Sequence, residues 1–297
     1  MKILNLSKNF NWPTENGIHY EAFVFHGGEP HIKLHVENTP DPSEEVLIIQ
    51  RVQQSGDFML LLLATDALRR SGFQKINTLL PYFPAARQDR VMVPGEPLSL
   101  KVYAQLINAQ NYERVIIFDP HSDLTPALLN NVQVFRNDLF IEAVLNEIND
   151  PELYLVAPDA GAVKKIFHLA RQLNITNVIT CEKNRNVNNG KLSGFKINAT
   201  DLKNRTCLIV DDICDGGRTF MGIAKALKNK NAGNIYLAVS HGIFSDGIEK
   251  FNGLIDGIFS TDSFGDFENK LVDIINLKTI LFSAEKIKSD KAWVNVN

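Results

Sequence analysis

The chain has 297 residues, of which 44% are hydrophobic and 22% charged, the profile of a soluble globular protein of two ordinary domains. Its net charge of −3 gives no global basic field for nucleic acid, so no nucleic-acid partner is expected. The longest strongly apolar run, Phe58–Ala64, is far short of a membrane span, and MKILNLSKNF is too short for a signal-peptide core, so no membrane is expected either.

In chain order, Asp57–Arg70 carries Leu60, Leu61, Ala64, Ala67 and Leu68 at helical spacing, with Gly72 as its stop. Thr78–Leu80 is a short apolar run that ends in Pro81-Tyr82-Phe83 and then Arg87-Gln88-Asp89-Arg90. Pro97–Asn108 has a helical stripe of Leu98, Val102, Leu106 and Ile107. Val115–Phe118 runs into Asp119-Pro120-His121-Ser122, and Leu153–Val156 into Ala157–Gly161, after which Ala162–Leu173 reads as a helix. Lys183–Lys191 (KNRNVNNGK) has no large apolar residue except Val187 and predicts a mobile loop. Leu208–Val210 runs into Asp211-Asp212, with a helix over Phe220–Lys228, and Ile235–Val239 runs into Ser240-His241-Gly242.

Continuous apolar runs of this length suit strands covered on both faces. The alternation with helices gives an α/β class: two related domains, each a mainly parallel sheet flanked by helices. Ligands in such sheets bind beyond the carboxyl ends of the strands, where the polar clusters fall. The order of elements is similar in the two halves, and Val134–Pro151 is the natural boundary. The expected domains are 1–142 and 143–297, with a C-terminal tail able to pack back on the first. Cys181, Cys207 and Cys214 are odd in number and form no CxxC pair, which fits a reducing cytoplasm better than a disulfide framework.

The strongest signal is LIVDDICDGGRTF, residues 208–220. A buried strand delivers two carboxylates, two glycines allow unusual backbone conformations, and a helix start follows. Backbone N–H groups there form an anion nest, reinforced by the helix dipole. Asp211 and Asp212 are acceptors for a vicinal diol, and Thr219 can donate to phosphate, so a sugar phosphate fits. A capped strand-to-helix turn is the plain alternative. No GxxxxGK[ST] or GxGxxG occurs, so a nucleotide would need other contacts.

DDICDGGRT resembles the phosphoribosyl-pyrophosphate loop of the type I phosphoribosyltransferase fold. PYFPAARQDR (81–90), FDPHSD (118–123) and APDAG (157–161) narrow the resemblance to the ribose-phosphate pyrophosphokinase (PRPP synthetase) family, with weaker echoes in FHGGE (25–29), EKNR (182–185) and VSHGIF (239–244). The resemblance implies transfer of the β,γ-diphosphoryl group of ATP to the 1-hydroxyl of ribose 5-phosphate, with Mg²⁺. It implies a homo-oligomer, dimer or hexamer, whose ATP site is shared between subunits. Phe25, Gly27, Gly28 and Glu29 would meet the adenine bound by a neighbour, and Arg87, Gln88 and His121 would contact ATP. His121 and Asp159 would bind the metal directly or through water. Lys183 and Arg185 would be catalytic. Arg185, Asp211, Asp212, Asp215, Gly216, Gly217, Arg218 and Thr219 would hold ribose 5-phosphate.

Without the resemblance, Lys183 and Arg185 read as solvated loop charges, His121 as a strand-end surface residue, Asp159 as a helix N-cap, and Arg87 with Asp89 as a surface ion pair. The chain also departs from the family pattern. Gly27 stands where Asp is usual, and Gly216 and Arg218 where Thr and Gly are usual. Val91–Gly95 lacks the usual basic residues, LTPALL (124–129) replaces the usual QIQGFF-like stretch, and KNRNVNN replaces KRRPRPN. The segments at 91–95 and 124–129 serve phosphate and ADP regulation and subunit contacts in the family, so weak phosphate dependence is expected. A non-catalytic regulatory relative should lack the loop lysine or the histidine, and both are present. A phosphoribosyltransferase consuming PRPP would share the loop but has no need of ARQDR and DPH.

Overall fold

The computed structural model describes residues 1–13, 16–35, 44–185 and 192–289, with the backbone alone at 183–185, 192–193 and 285–289. Two compact units divide at Arg136/Asn137, and Ser263–Gly265 belongs with the first.

The first unit contains β1 (Lys2–Asn5), β2 (Tyr20–Val24), β3 (Pro30–Leu34), β4 (Glu45–Ile49), α1 (Ser55–Arg70), β5 (Lys75–Leu80), α2 (Ser99–Asn108), β6 (Arg114–Phe118), α3 (Leu124–Leu128) and β7 (Val132–Phe135). Its main sheet has the order β1-β4-β5-β6-β7 and every pairing is parallel. Val46, Ile48, Ile76, Leu80, Val115 and Ile117 fill its core, the continuous burial that parallel strands require.

In α1, Phe58, Leu61, Ala64, Thr65 and Leu68 form the buried stripe. The helix begins two residues earlier than its apolar spacing predicts. Asp57 reaches back to accept from the Gln53 and Gln54 N–H groups, each at 3.0 Å, which satisfies donors of the entering chain. Gly72 ends it in the left-handed region, at φ +101°.

The second unit contains α4 (Asp138–Ile148), β8 (Tyr154–Ala157), α5 (Ala160–Gln172), β9 (Val178–Arg185), β10 (Leu192–Ile197), β11 (Cys207–Cys214), α6 (Arg218–Lys228), β12 (Ile235–Gly242), β13 (Gly257–Thr261), β14 (Val272–Ile275) and the start of α7 (Leu277–Ser289), which from Ala284 counts with the first unit. The sheet order is β10-β9-β8-β11-β12-β13-β14, parallel except for β9 with β10. The fold is α/β, with parallel sheets flanked by helices in both units.

Three segments differ from the sequence expectation. β11 continues through Asp211 and Asp212 to Cys214, because β12 keeps pairing with it as far as Cys214↔Gly242. The carboxylates therefore sit within the strand and the loop proper begins at Asp215. β9 carries Lys183 and Arg185 on its backbone, opposite Phe195 and Leu192 of β10, where a loop was expected from Lys183 onward. The remainder of that loop, 186–191, lies outside the described residues. The β2–β3 hairpin was not anticipated at all. Its strands are half exposed and lack the apolar runs that mark the buried sheet.

Candidate functional site

In the second unit, Asp211 and Asp212 stand where β11 leaves its pairing with β8, whose own end leads into Asp159. The Asp212 N–H donates to Asp211 Oδ1 at 3.0 Å. Burial pushes the Asp211 carboxyl well above the usual carboxylate range, and the charges of Asp212 and Asp159 push the same way. Asp211 thus resists ionisation beside like charges. Asp159 is the N-cap of α5: its Oδ1 accepts from the Gly161 N–H at 3.0 Å and the Ala162 N–H at 3.2 Å.

The loop that follows turns on Gly217. This residue has φ +70° and caps α6, so Arg218 and Thr219 already lie in the first helical turn. That turn starts two residues earlier than expected. Its N–H groups have no intrahelical acceptor and carry the positive end of the dipole. A Cβ on Gly217 would lie 2.3 Å from Cζ of the buried Phe251, so only glycine fits. Asp215 Oδ1 accepts from the Ser245 hydroxyl at 2.5 Å. Behind the loop, Lys250 Nζ donates to the Gly216 carbonyl oxygen. Arg218, with 86% of its side chain exposed, has Nε 3.8 Å from Asp246 Oδ2. An anion nest, an exposed cation and a pair of acceptor carboxylates therefore occupy one strand-to-helix passage. That is the chemistry of a phosphorylated polyol site.

In the first unit, Asp89 joins two of the quoted motifs. Its carboxylate, 9% exposed, lies 3.1 Å from Arg90 Nε. Burial acts to raise its pKa, but Arg90, Ser122 and the charge of His121 together hold it below the usual carboxylate range. The segment carrying Arg87 and Gln88 thus meets the segment carrying His121. Arg87 and Gln88 are exposed and His121 half-buried. The turn is braced by main-chain bonds, Gln88 N–H to the Ala85 carbonyl at 2.8 Å and Leu100 N–H to the Gln88 carbonyl at 3.3 Å. Tyr82, edge-on to Phe264 at 5.4 Å between centroids, anchors its start.

Phe25, Gly27, Gly28 and Glu29 form the β2–β3 turn. The Phe25 N–H donates to the Glu29 carbonyl at 2.9 Å, and Gly28 sits at φ +92°. Phe25 is exposed and packs edge-on to Phe23 at 4.9 Å and tilted to His31 at 5.7 Å, leaving an aromatic surface outward. The side chains of Lys183 and Arg185 lie outside the described residues. Of the two metal candidates, His121 belongs to the first unit and Asp159 to the second. Among the described residues, no group of three or more His, Cys, Asp or Glu is gathered as a metal cage, and no helix is long and apolar enough to cross a membrane. Sequence reading did not single out Asp89 as a site residue, nor Ser245, Asp246 and Lys250 behind the loop. The position of the last three just past β12, beside β11, was the available signal.

Family models match two stretches: residues 21–110 fit the N-terminal domain of ribose phosphate pyrophosphokinase, and residues 133–252 fit the phosphoribosyl transferase domain. The chain is 33% identical to a ribose-phosphate pyrophosphokinase of Mycoplasma genitalium, covering 75% of this chain and 69% of that one. Against the protein of the same name from Hyphomonas neptunium it is 30% identical, over 77% and 74%. Against that of Thermococcus kodakarensis it is 29% identical, over 83% and 91%. Its fold is similar to the crystal structure of phosphoribosylpyrophosphate synthetase from Mycobacterium smegmatis, with a TM-score of 0.80 at 20% identity over 98% of this chain and 100% of that one. By its sequence the chain belongs to the ribose-phosphate pyrophosphokinase family.

Proposed function

We propose that the protein is a ribose-phosphate diphosphokinase, transferring the β,γ-diphosphoryl group of ATP to the 1-hydroxyl of ribose 5-phosphate to give PRPP and AMP. The observation that carries this reading is that the ARQDR and DPH segments neighbour each other in the first unit, where the charge of His121 acts on Asp89. A transferase that only consumes PRPP has use for the sugar-phosphate loop but no need of the ARQDR and DPH segments.

Each residue has a role under this reading. The α6 N-terminus, Gly216, Gly217, Arg218 and Thr219 bind the 5-phosphate, and Asp211, Asp212 and Asp215 accept from ribose hydroxyls. Arg87, Gln88 and His121 bind ATP. Phe25 to Glu29 meet the adenine of a neighbouring copy, for which the exposed Phe25–His31 surface is suited. Lys183 and Arg185 stabilise the charge that spreads over the transferring oxygens. Of the two candidate ligands, Asp159 offers the hard carboxylate oxygen that magnesium takes, and His121 suits a metal-bound water or a phosphate better. Asp159 and His121 would hold it directly or through water, Asp159 through what its cap leaves over, and when bound it supplies neutralisation of phosphate oxygens. The same reading takes the protein as a cytoplasmic homo-oligomer.

The test is the identity of the nucleotide product. Phosphorus NMR of the protein with Mg-ATP and ribose 5-phosphate should show the β and γ signals of ATP moving together onto the sugar while AMP accumulates. ADP as the product would contradict the reading.

A further inference from the structure

A charged cluster stands behind the phosphate loop, on the chain leaving β12. Lys250, with only 20% of its side chain exposed, lies 3.2 Å from Asp246 Oδ2 and donates to the Gly216 carbonyl. Its ammonium is also 6.0 Å from the centre of the Phe251 ring. The same Asp246 oxygen is 3.8 Å from Arg218 Nε. It stands 3.0 Å from where a Cβ on Gly216 would lie. Asp246 thus takes the room that a side chain at position 216 would use.

A solvated i,i+4 ion pair contributes little and positions nothing. This one is different because the lysine is largely enclosed and its second partner is main chain. Across a planar trans peptide the C=O and the next N–H point to opposite sides. Holding the Gly216 carbonyl at the back of the loop therefore turns the Gly217 N–H to the front, beside the N–H groups of the first turn of α6, which have no intrahelical acceptor.

We infer that Lys250 and Asp246 are positioning residues for the sugar's 5-phosphate. Lys250 pins the Gly216–Gly217 peptide with its N–H toward the anion. Asp246 steadies both Lys250 and Arg218, and Arg218 remains exposed as the cation that meets the phosphate. The inference rests on the sugar-phosphate reading of the loop.

Calorimetric titration with ribose 5-phosphate, together with steady-state kinetics, tests it on the full chain and on Lys250→Met, Lys250→Arg and Asp246→Asn. No binding to the parent protein would sink the sugar-phosphate reading itself, and the inference with it. With the parent binding, Lys250→Met should raise Kd and KM for ribose 5-phosphate about tenfold. Its kcat should fall by less than KM rises, KM for ATP should stay unchanged, and Lys250→Arg should restore most of the loss. Folded Lys250→Met binding within twofold of the parent overturns the inference alone. Should Lys250→Met fail to fold, Asp246→Asn decides, since its carboxylate is 45% exposed. Weaker binding, about threefold, supports the inference, and equal or tighter binding overturns it.

Discussion

The Phe251 ring lies against Gly217 so closely that a Cβ on the glycine would sit 2.3 Å from ring Cζ. Phe251 is fully buried, so the ring has no room to withdraw, and Gly217 itself is at φ +70°. Gly217→Ala is therefore expected to lose about 2 kcal/mol or more in denaturant unfolding, from left-handed strain plus displacement of a packed ring. It should also weaken ribose 5-phosphate binding, because the nest is built on this residue. A loss below about 0.5 kcal/mol would mean the loop is not held against Phe251.

Asp211 predicts an opposition between stability and function. Its folded-state pKa is raised, first by burial and then by the charges of Asp212 and Asp159. A raised carboxyl contributes fully to stability below the ordinary carboxylate range and loses that contribution as pH rises through its raised value. Asp211→Asn cannot ionise, so it should melt higher than the parent at about pH 8, with the difference disappearing toward about pH 4. The same variant should bind ribose 5-phosphate at least tenfold more weakly. A variant less stable than the parent at the higher pH would contradict the assignment.

Asp89 predicts an effect confined to the nucleotide. Its lowered pKa means it stays ionised between Arg90 and His121 through the neutral range. Asp89→Asn should reduce kcat/KM for ATP about tenfold, the scale of one charged hydrogen bond, and leave KM for ribose 5-phosphate unchanged. A change of less than twofold in the ATP parameters would separate Asp89 from the nucleotide site.

Regulation by inorganic phosphate should be weak. Residues 91–95 contain no basic side chain, and Val91, Met92 and Val93 are exposed. The Met92 and Val93 N–H groups are used by Glu96, at 2.9 and 3.2 Å, so a carboxylate already occupies an anion's place there. Activity measured against phosphate concentration should be nearly flat. Strong activation by millimolar phosphate would refute this.

Much of the fold was legible because buried parallel strands write themselves as apolar runs: Val115–Phe118 and Ile235–Val239 are strands, and the clusters beyond them bear the motifs. The β2–β3 hairpin was not, since half-exposed strands such as YEAFV and PHIKL carry no such run. The DDICDGGRT loop announced its glycines and carboxylates. The extension of β11 through Asp211 and Asp212 depends on β12 pairing alongside, which no local pattern encodes. Asp89 read as half of a surface ion pair with Arg87, yet it pairs with Arg90 and feels the charge of His121, some thirty residues away. Lys250 and Asp246 likewise gain meaning only when β12 brings them behind Gly216.

Diphosphoryl transfer to a sugar phosphate is read out by AMP release measured with and without ribose 5-phosphate. With Mg-ATP present, AMP should form only when the sugar phosphate is added, one equivalent per PRPP, and Lys183→Ala should abolish it while ribose 5-phosphate still binds. AMP no higher than in the sugar-free control would contradict the account.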